Sequence, residues 1–241
     1  MLTFNIRGTL PCLFPKEHFT GHCAFRFGEG IAISVDMPIH TFYTQRTFTE
    51  KEPHVKQILS LTGRFLYFLM GWEFEELPSY FSSKHVIIGF PHTCNMDAVR
   101  AFLGYRIIKR TGHIMVKKEW FFWPMSWVFK AIGGIPVDRW SSQGAVEQMA
   151  DIFNRRDEFL LAIVPEGTRK KVKTIKKGFW YIAKAANVSI VCWFLDNKNK
   201  KARWLGEIIP GENMMDDLIR IRDIYEKAGY LFPLDVAAPS L

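Results

Sequence analysis

The stretch KHVIIGFPHTCNMD, residues 84–97, sets Val86, Ile87, Ile88 and Phe90 between a charged start and a polar turn containing Pro91. A short apolar run without alternation predicts a strand buried on both faces, as in parallel sheets covered by helices. Downstream the pattern alternates. Met96–Arg110 has helical spacing, GHIMVKK (112–118) reads as a strand, and an aromatic helix spans 124–132. Then come a short strand IPVDR (135–139), a helix over 142–155, a buried strand FLLAIVPEG (159–167) and a helix over 175–186. SIVCWFLD (189–196) and ARWLGEIIP (202–210) read as closing strands before a final helix over 214–227. Buried strands alternating with amphipathic helices predict an α/β fold, a central largely parallel sheet flanked by helices.

Upstream, residues 54–72 place Val55, Ile58, Leu59, Leu61, Phe65, Leu66, Phe68 and Leu69 on one broad apolar face at helical spacing. The expected organisation is an N-terminal extension (1–53) of short alternating stretches, an amphipathic interfacial helix segment (54–78), and a catalytic domain (79–241).

The chain has 241 residues, 48% of them hydrophobic, which excludes disorder. Four cysteines without a CxxC pair suggest neither a disulfide scaffold nor zinc. The formal charge is +8, and residues 1–50 carry four basic and four acidic side chains, so the whole excess belongs to 51–241. An anionic partner follows: phosphate groups, nucleic acid or a lipid surface. No nucleic-acid-binding signature is present, which sets that class aside. Twenty-one Phe and eight Trp beside this charge suit a membrane interface. No apolar run reaches the roughly 18 residues a membrane span requires, and the first residues lack the pattern of a secretory signal. The expectation is a protein lying on a membrane rather than crossing it. The aromatic stretch Trp120, Phe121, Phe122, Trp123, Trp127 and Phe129 reads either as core or as interfacial anchor. The run Arg169, Lys170, Lys171, Lys173, Lys176 and Lys177 reads either as a solvated face or as a site attracting anions.

Three constellations carry chemistry. His92 and Asp97 follow the first buried strand, where active groups of such folds gather. Five residues apart, they cannot share a helix face at about 100° per residue. They meet if His92 ends the strand and Asp97 lies in the next helix's first turn, with Thr93 or Asn95 near the cap. Asp97 then orients one imidazole nitrogen and leaves the other free as a base. A capping Asp beside an incidental His is the plainer reading of that pair alone. Cys94 offers a competing nucleophile, but side chains two residues apart at a strand end tend to diverge. Gly133-Gly134-Ile135-Pro136-Val137-Asp138-Arg139 sets paired glycines before a short strand. Val164-Pro165-Glu166-Gly167-Thr168-Arg169 brings a carboxylate, a flexible glycine and a guanidinium to another strand end, a combination suited to phosphate.

In this order, with about 40 residues from the first block to the second and about 30 to the third, the three resemble the blocks of the glycerophospholipid acyltransferase superfamily. The nearest family is the 1-acylglycerol-3-phosphate (lysophosphatidate) acyltransferases, and the resemblance covers roughly residues 55–210. Cys94-Asn95-Met96, Lys177 before Gly178, and the absence of Pro from Val191-Cys192-Trp193-Phe194 depart from the family pattern. The resemblance implies direct acyl transfer from acyl-CoA or acyl carrier protein to the free hydroxyl of a lysophospholipid. His92 would be the base and Asp97 its partner, with no metal and no further cofactor. Gly134 and Ile135 would stabilise the oxyanion, and Arg139, Glu166, Gly167, Thr168 and Arg169 would hold the headgroup. Its partners would be the lysophospholipid, the acyl donor and an anionic membrane surface, and its place the cytoplasmic face of a membrane, peripherally bound. A catalytically silent lipid- or phosphate-binding protein on the same scaffold is the alternative.

Overall fold

The computed structural model describes residues 22–27, 31–36, 53–92, 94–137, 142–167 and 172–233. The chain divides into two units, 1–50 and 51–241. In the first, β1 (His22–Phe27) and β2 (Ile31–Asp36) form an antiparallel hairpin, matching the alternation expected there.

The second unit is built on a seven-stranded sheet. In chain order its elements begin with α1 (Pro53–Leu69), β3 (Glu73–Phe74), β4 (Lys84–Gly89), α2 (Asn95–Ile107) and β5 (Gly112–Lys117). A 3₁₀ turn (Lys118–Trp120), α3 (Met125–Ala131), β6 (Gly134–Val137), α4 (Ser142–Arg155) and β7 (Phe159–Ile163) follow. α5 (Gly178–Ala186), β8 (Ser189–Asp196), β9 (Lys201–Ile208) and α6 (Met214–Lys227) complete it. The spatial order is β3-β9-β8-β4-β7-β5-β6. The five strands from β8 to β6 run parallel, β9 is antiparallel to β8, and β3 is parallel to β9. The largely parallel α/β sheet flanked by helices is therefore present.

Helices cover both faces. Ile87, Leu160, Val191, Trp193 and Leu195 cluster with Tyr67, Trp72 and Ile107, the α1 and α2 side of the sheet. On the other, the indole Nε1 of Trp180 in α5 donates to Asp217 in α6 at 2.9 Å. The buried Tyr225 hydroxyl reaches the carbonyls of Ile88 (2.9 Å) and Trp193 (3.1 Å), tying α6 to the carboxyl ends of β4 and β8.

The 54–78 segment is helical only to Leu69; Gly71 turns the chain at φ +67°, and Glu73–Phe74 pairs with β9. α1 lies antiparallel on α2. The Ser60 hydroxyl donates to the Ile107 carbonyl (2.8 Å) and the Tyr67 hydroxyl to that of Arg100 (2.8 Å). Gly63 allows the close approach, since a Cβ there would stand 3.0 Å from Ile107 Cγ1. The buried residues of α1 are Ser60, Gly63 and Tyr67, while Ile58, Leu61, Phe65, Phe68 and Leu69 point outward. At 100° per residue the outward set centres opposite the buried one. The helix thus packs by its small and polar face and presents its apolar face, the reverse of an ordinary surface helix.

Two enclosed histidines should give the fold a pH dependence. His85 Nε2 accepts the Ser82 N–H (2.6 Å), so Nδ1 donates to Ser189 Oγ (2.6 Å), and the ring must be neutral. Burial, reinforced by Arg110, lowers its pKa to about 4; burial and Arg156 do the same for His113, also to about 4. Unfolded, both would titrate near 6.5. The unfolded chain therefore binds more protons between these values, and stability complete above about pH 6.5 is lost as pH falls toward 4. The loss should be on the order of 2–3 kcal/mol for each imidazole. Thermal unfolding should show the melting temperature falling over that interval, and His113→Gln should flatten the slope. A melting temperature constant from pH 7 to 4 contradicts the assignment.

Candidate active site

The carboxyl ends of β4, β7 and β5 open on one edge of the sheet, and the turns leaving β4 and β7 build the site. β4 and β7 are paired through Ile88 and Ile163, so His92 and Glu166, each a few residues beyond, are neighbours. The His92 N–H donates to Glu166 Oε2 at 2.7 Å. Burial pushes the Glu166 carboxyl above its ordinary value, against the pull of the His92 N–H.

The turn after His92 starts α2, whose N-cap is Cys94 with Asn95 next to it as the first helical residue. Asp97, third in the helix, reaches back so that Oδ2 accepts the Cys94 N–H (2.8 Å), satisfying a donor the helix leaves open. The same oxygen faces His92 Nδ1 at 3.4 Å, an ion-pair distance longer than a tight hydrogen bond. Asp97 keeps 4% of its side-chain surface exposed and His92 22%. A buried carboxylate therefore addresses one nitrogen of a more open imidazole and leaves Nε2 for other work. One carboxylate thus both caps α2 and faces the imidazole. The Cys94 thiol turns to Asp97 Oδ1 (3.4 Å) and Arg100 Nη1 (3.8 Å).

The chain belongs to the acyltransferase family. Its family model matches residues 73–195, half of the chain, and spans both turns. Among solved structures, the fold is similar to the 1-acyl-sn-glycerophosphate acyltransferase PlsC of Thermotoga maritima, at 15% identity and a TM-score of 0.51. That match covers 78% of this chain and 84% of the other. No curated protein matches this chain in sequence.

The other expected residues of the acyltransferase site divide. Gly167 stands next to Glu166 at φ +61°, a conformation that favours glycine. A Cβ there would stand 2.9 Å from Lys176 Nζ, so the lysine side chain lies over this turn. Sequence reasoning counted Lys176 only within a basic run. Gly134 and Ile135 are not brought to His92. One rung of the sheet joins Ile87, Ala162, Ile114 and Gly134, which sets Gly134 inside the sheet, level with the middle of β4. Ile135 is buried one rung above. The two residues seat β6. Arg139, Thr168 and Arg169 lie outside the described residues.

Glu166→Ala should lower activity about 10–100-fold, because it removes a charge-assisted bond to the backbone of the histidine turn, a contact of roughly 1.5–3 kcal/mol. Glu166→Gln, which keeps an acceptor, should lose much less. Steady-state kinetics of the two variants check this; equal losses would show that the charge, rather than the hold on the His92 N–H, is what counts.

Proposed function

We propose that the protein transfers an acyl chain from acyl-CoA or acyl carrier protein to the free hydroxyl of a lysophospholipid such as 1-acylglycerol-3-phosphate. His92 Nε2 takes the hydroxyl proton while the oxygen attacks the thioester carbonyl. The C–S bond breaks, and the departing thiolate takes the proton back from the imidazolium. The products are an ester and a free thiol. Asp97 holds the ring and stabilises its transient charge. The observation that carries the reading is the partly exposed His92 imidazole set against a buried Asp97 at 3.4 Å. Glu166, Gly167 and the overlying Lys176, with the sequence neighbours Thr168 and Arg169 and with Arg139, are proposed to receive the acceptor's phosphate.

Attachment is proposed to be peripheral, on the cytoplasmic face of an anionic membrane. No helix among the described residues is long and apolar enough to cross a bilayer. Support comes from the outward apolar face of α1 and from the aromatic segment between β5 and β6, where Trp123 is 84% and Trp127 79% exposed. Such side chains favour the reading of an interface over that of a core.

The decisive assay incubates the purified protein with radiolabelled acyl-CoA, or the same chain on acyl carrier protein, and a panel of lyso-lipids. One thiol should be released for each acyl chain esterified, fastest with lysophosphatidate. Lipid binding without thiol release would instead indicate the silent scaffold.

A further inference from the structure

α2 carries a second ionic group beside the dyad. Arg100 lies one helical turn after Asp97, and its Nη1 donates to Asp97 Oδ1 at 2.9 Å, the oxygen that does not face His92. The guanidinium is 14% exposed and stacks over the Trp72 ring, its Cζ 4.2 Å from the centroid. Its backbone carbonyl accepts the Tyr67 hydroxyl at 2.8 Å. Tyr67 and Trp72 are both buried in the core cluster of this face. Asp97 is therefore held on both sides: Oδ2 by the Cys94 N–H and toward His92, Oδ1 by Arg100.

We infer that Arg100 is a positioning residue for acyl transfer, acting through Asp97. Without Arg100, Oδ1 would keep the Cys94 thiol at 3.4 Å but lose its charged partner, and the carboxylate would be held less firmly in line with His92. A planar guanidinium, itself fixed over an indole, supplies that hold. It also balances the charge of a nearly buried carboxylate, which without a partner is costly to keep ionised. Because Trp72 follows α1 and Tyr67 belongs to it, the docking of α1 on α2 is built into the alignment of the dyad. This inference rests on the reading of His92 and Asp97 as the catalytic pair.

The test compares Arg100→Gln and Arg100→Lys, alone and in an Asp97→Asn background, in the labelled acyl-transfer assay. Arg100→Gln should lower kcat about 10–100-fold, the range for loss of a hydrogen bond to a charged group, with the KM of both substrates within about twofold. Arg100→Lys, which keeps the charge, should recover most of that loss. With Asp97→Asn already present, Arg100→Gln should cost less than about threefold more, because the residue it acts through is gone. Should Gln at this buried site lower the yield of folded protein, Arg100→Met, which keeps a stem over Trp72 without charge, replaces it. Near-wild-type kcat in the uncharged variant, a Lys variant as impaired as Gln, or losses that multiply with Asp97→Asn would each overturn the inference. Failure of the underlying reading looks different: His92→Ala would then remain active, whatever Arg100 does.

Discussion

His92→Ala should lower acyl transfer by about 10²–10⁴-fold while leaving the melting temperature and liposome binding close to those of the parent protein. The magnitude is that of lost general-base assistance. The expectation of an intact fold rests on what this imidazole touches. Its anchoring contact, to Glu166, is made by the backbone N–H, which alanine retains. Its side chain faces Asp97 at 3.4 Å and remains partly exposed, so truncation opens no core cavity. Asp97→Asn is a less clean experiment, because the same carboxylate also caps α2 and pairs with Arg100; part of any loss would be structural. Turnover, melting temperature and flotation measured on one His92→Ala preparation decide the question. More than about a tenth of parental turnover would rule out His92 as the base.

What was legible in the sequence follows from how local each determinant is. β4 is a run of apolar residues closed by Phe90-Pro91, and the His92–Asp97 spacing works only across a strand-to-helix turn; both are readable within fifteen residues. The bond from the His92 N–H to Glu166 was not. It depends on β7, which follows β5 and β6 in the chain, lying beside β4 in register. The placement of Gly134 and Ile135 is equally non-local: the rung shared with Ile87 sets Gly134 inside the sheet, with Ile135 one rung above. Arg100 does carry a local signal, since an Asp and an Arg three apart on a helix share a face. For α1, periodicity located the apolar face but could not say which face packs. Ser60 and Gly63 decide that by admitting α2 close to the helix backbone.

The exposed aromatic segment should dominate membrane attachment, more than the basic run. In α3 and the turn before it, Phe122, Trp123 and Trp127 are more than half exposed and none of the α3 side chains is buried, whereas the Phe121 and Phe129 rings pack on one another at 5.5 Å. Trp120 is 56% exposed but packs against Phe129 at 6.0 Å, so Phe122, Trp123 and Trp127 are taken as the side chains offered to a lipid interface. Each should contribute about 1.5–3 kcal/mol on burial, a term that salt does not remove. Replacing all three with Ser should weaken partitioning by about a thousandfold or more, for every 1.4 kcal/mol is roughly tenfold. Lys170, Lys171 and Lys173 should contribute about 1 kcal/mol each near an anionic surface, screened over about 8 Å at physiological ionic strength. Parent protein should therefore float with anionic liposomes better than with neutral ones, and high salt should weaken flotation without abolishing it. The Ser variant should stay in the soluble fraction on both kinds of vesicle. The variant with Gln at the three lysines should still float, and should lose its preference for anionic lipid. Because all three are more than half exposed, their replacement should leave the melting temperature close to that of the parent, which separates loss of attachment from loss of fold. Detachment of the lysine variant with retention of the aromatic one would instead leave the outward face of α1, not this segment, as the apolar anchor.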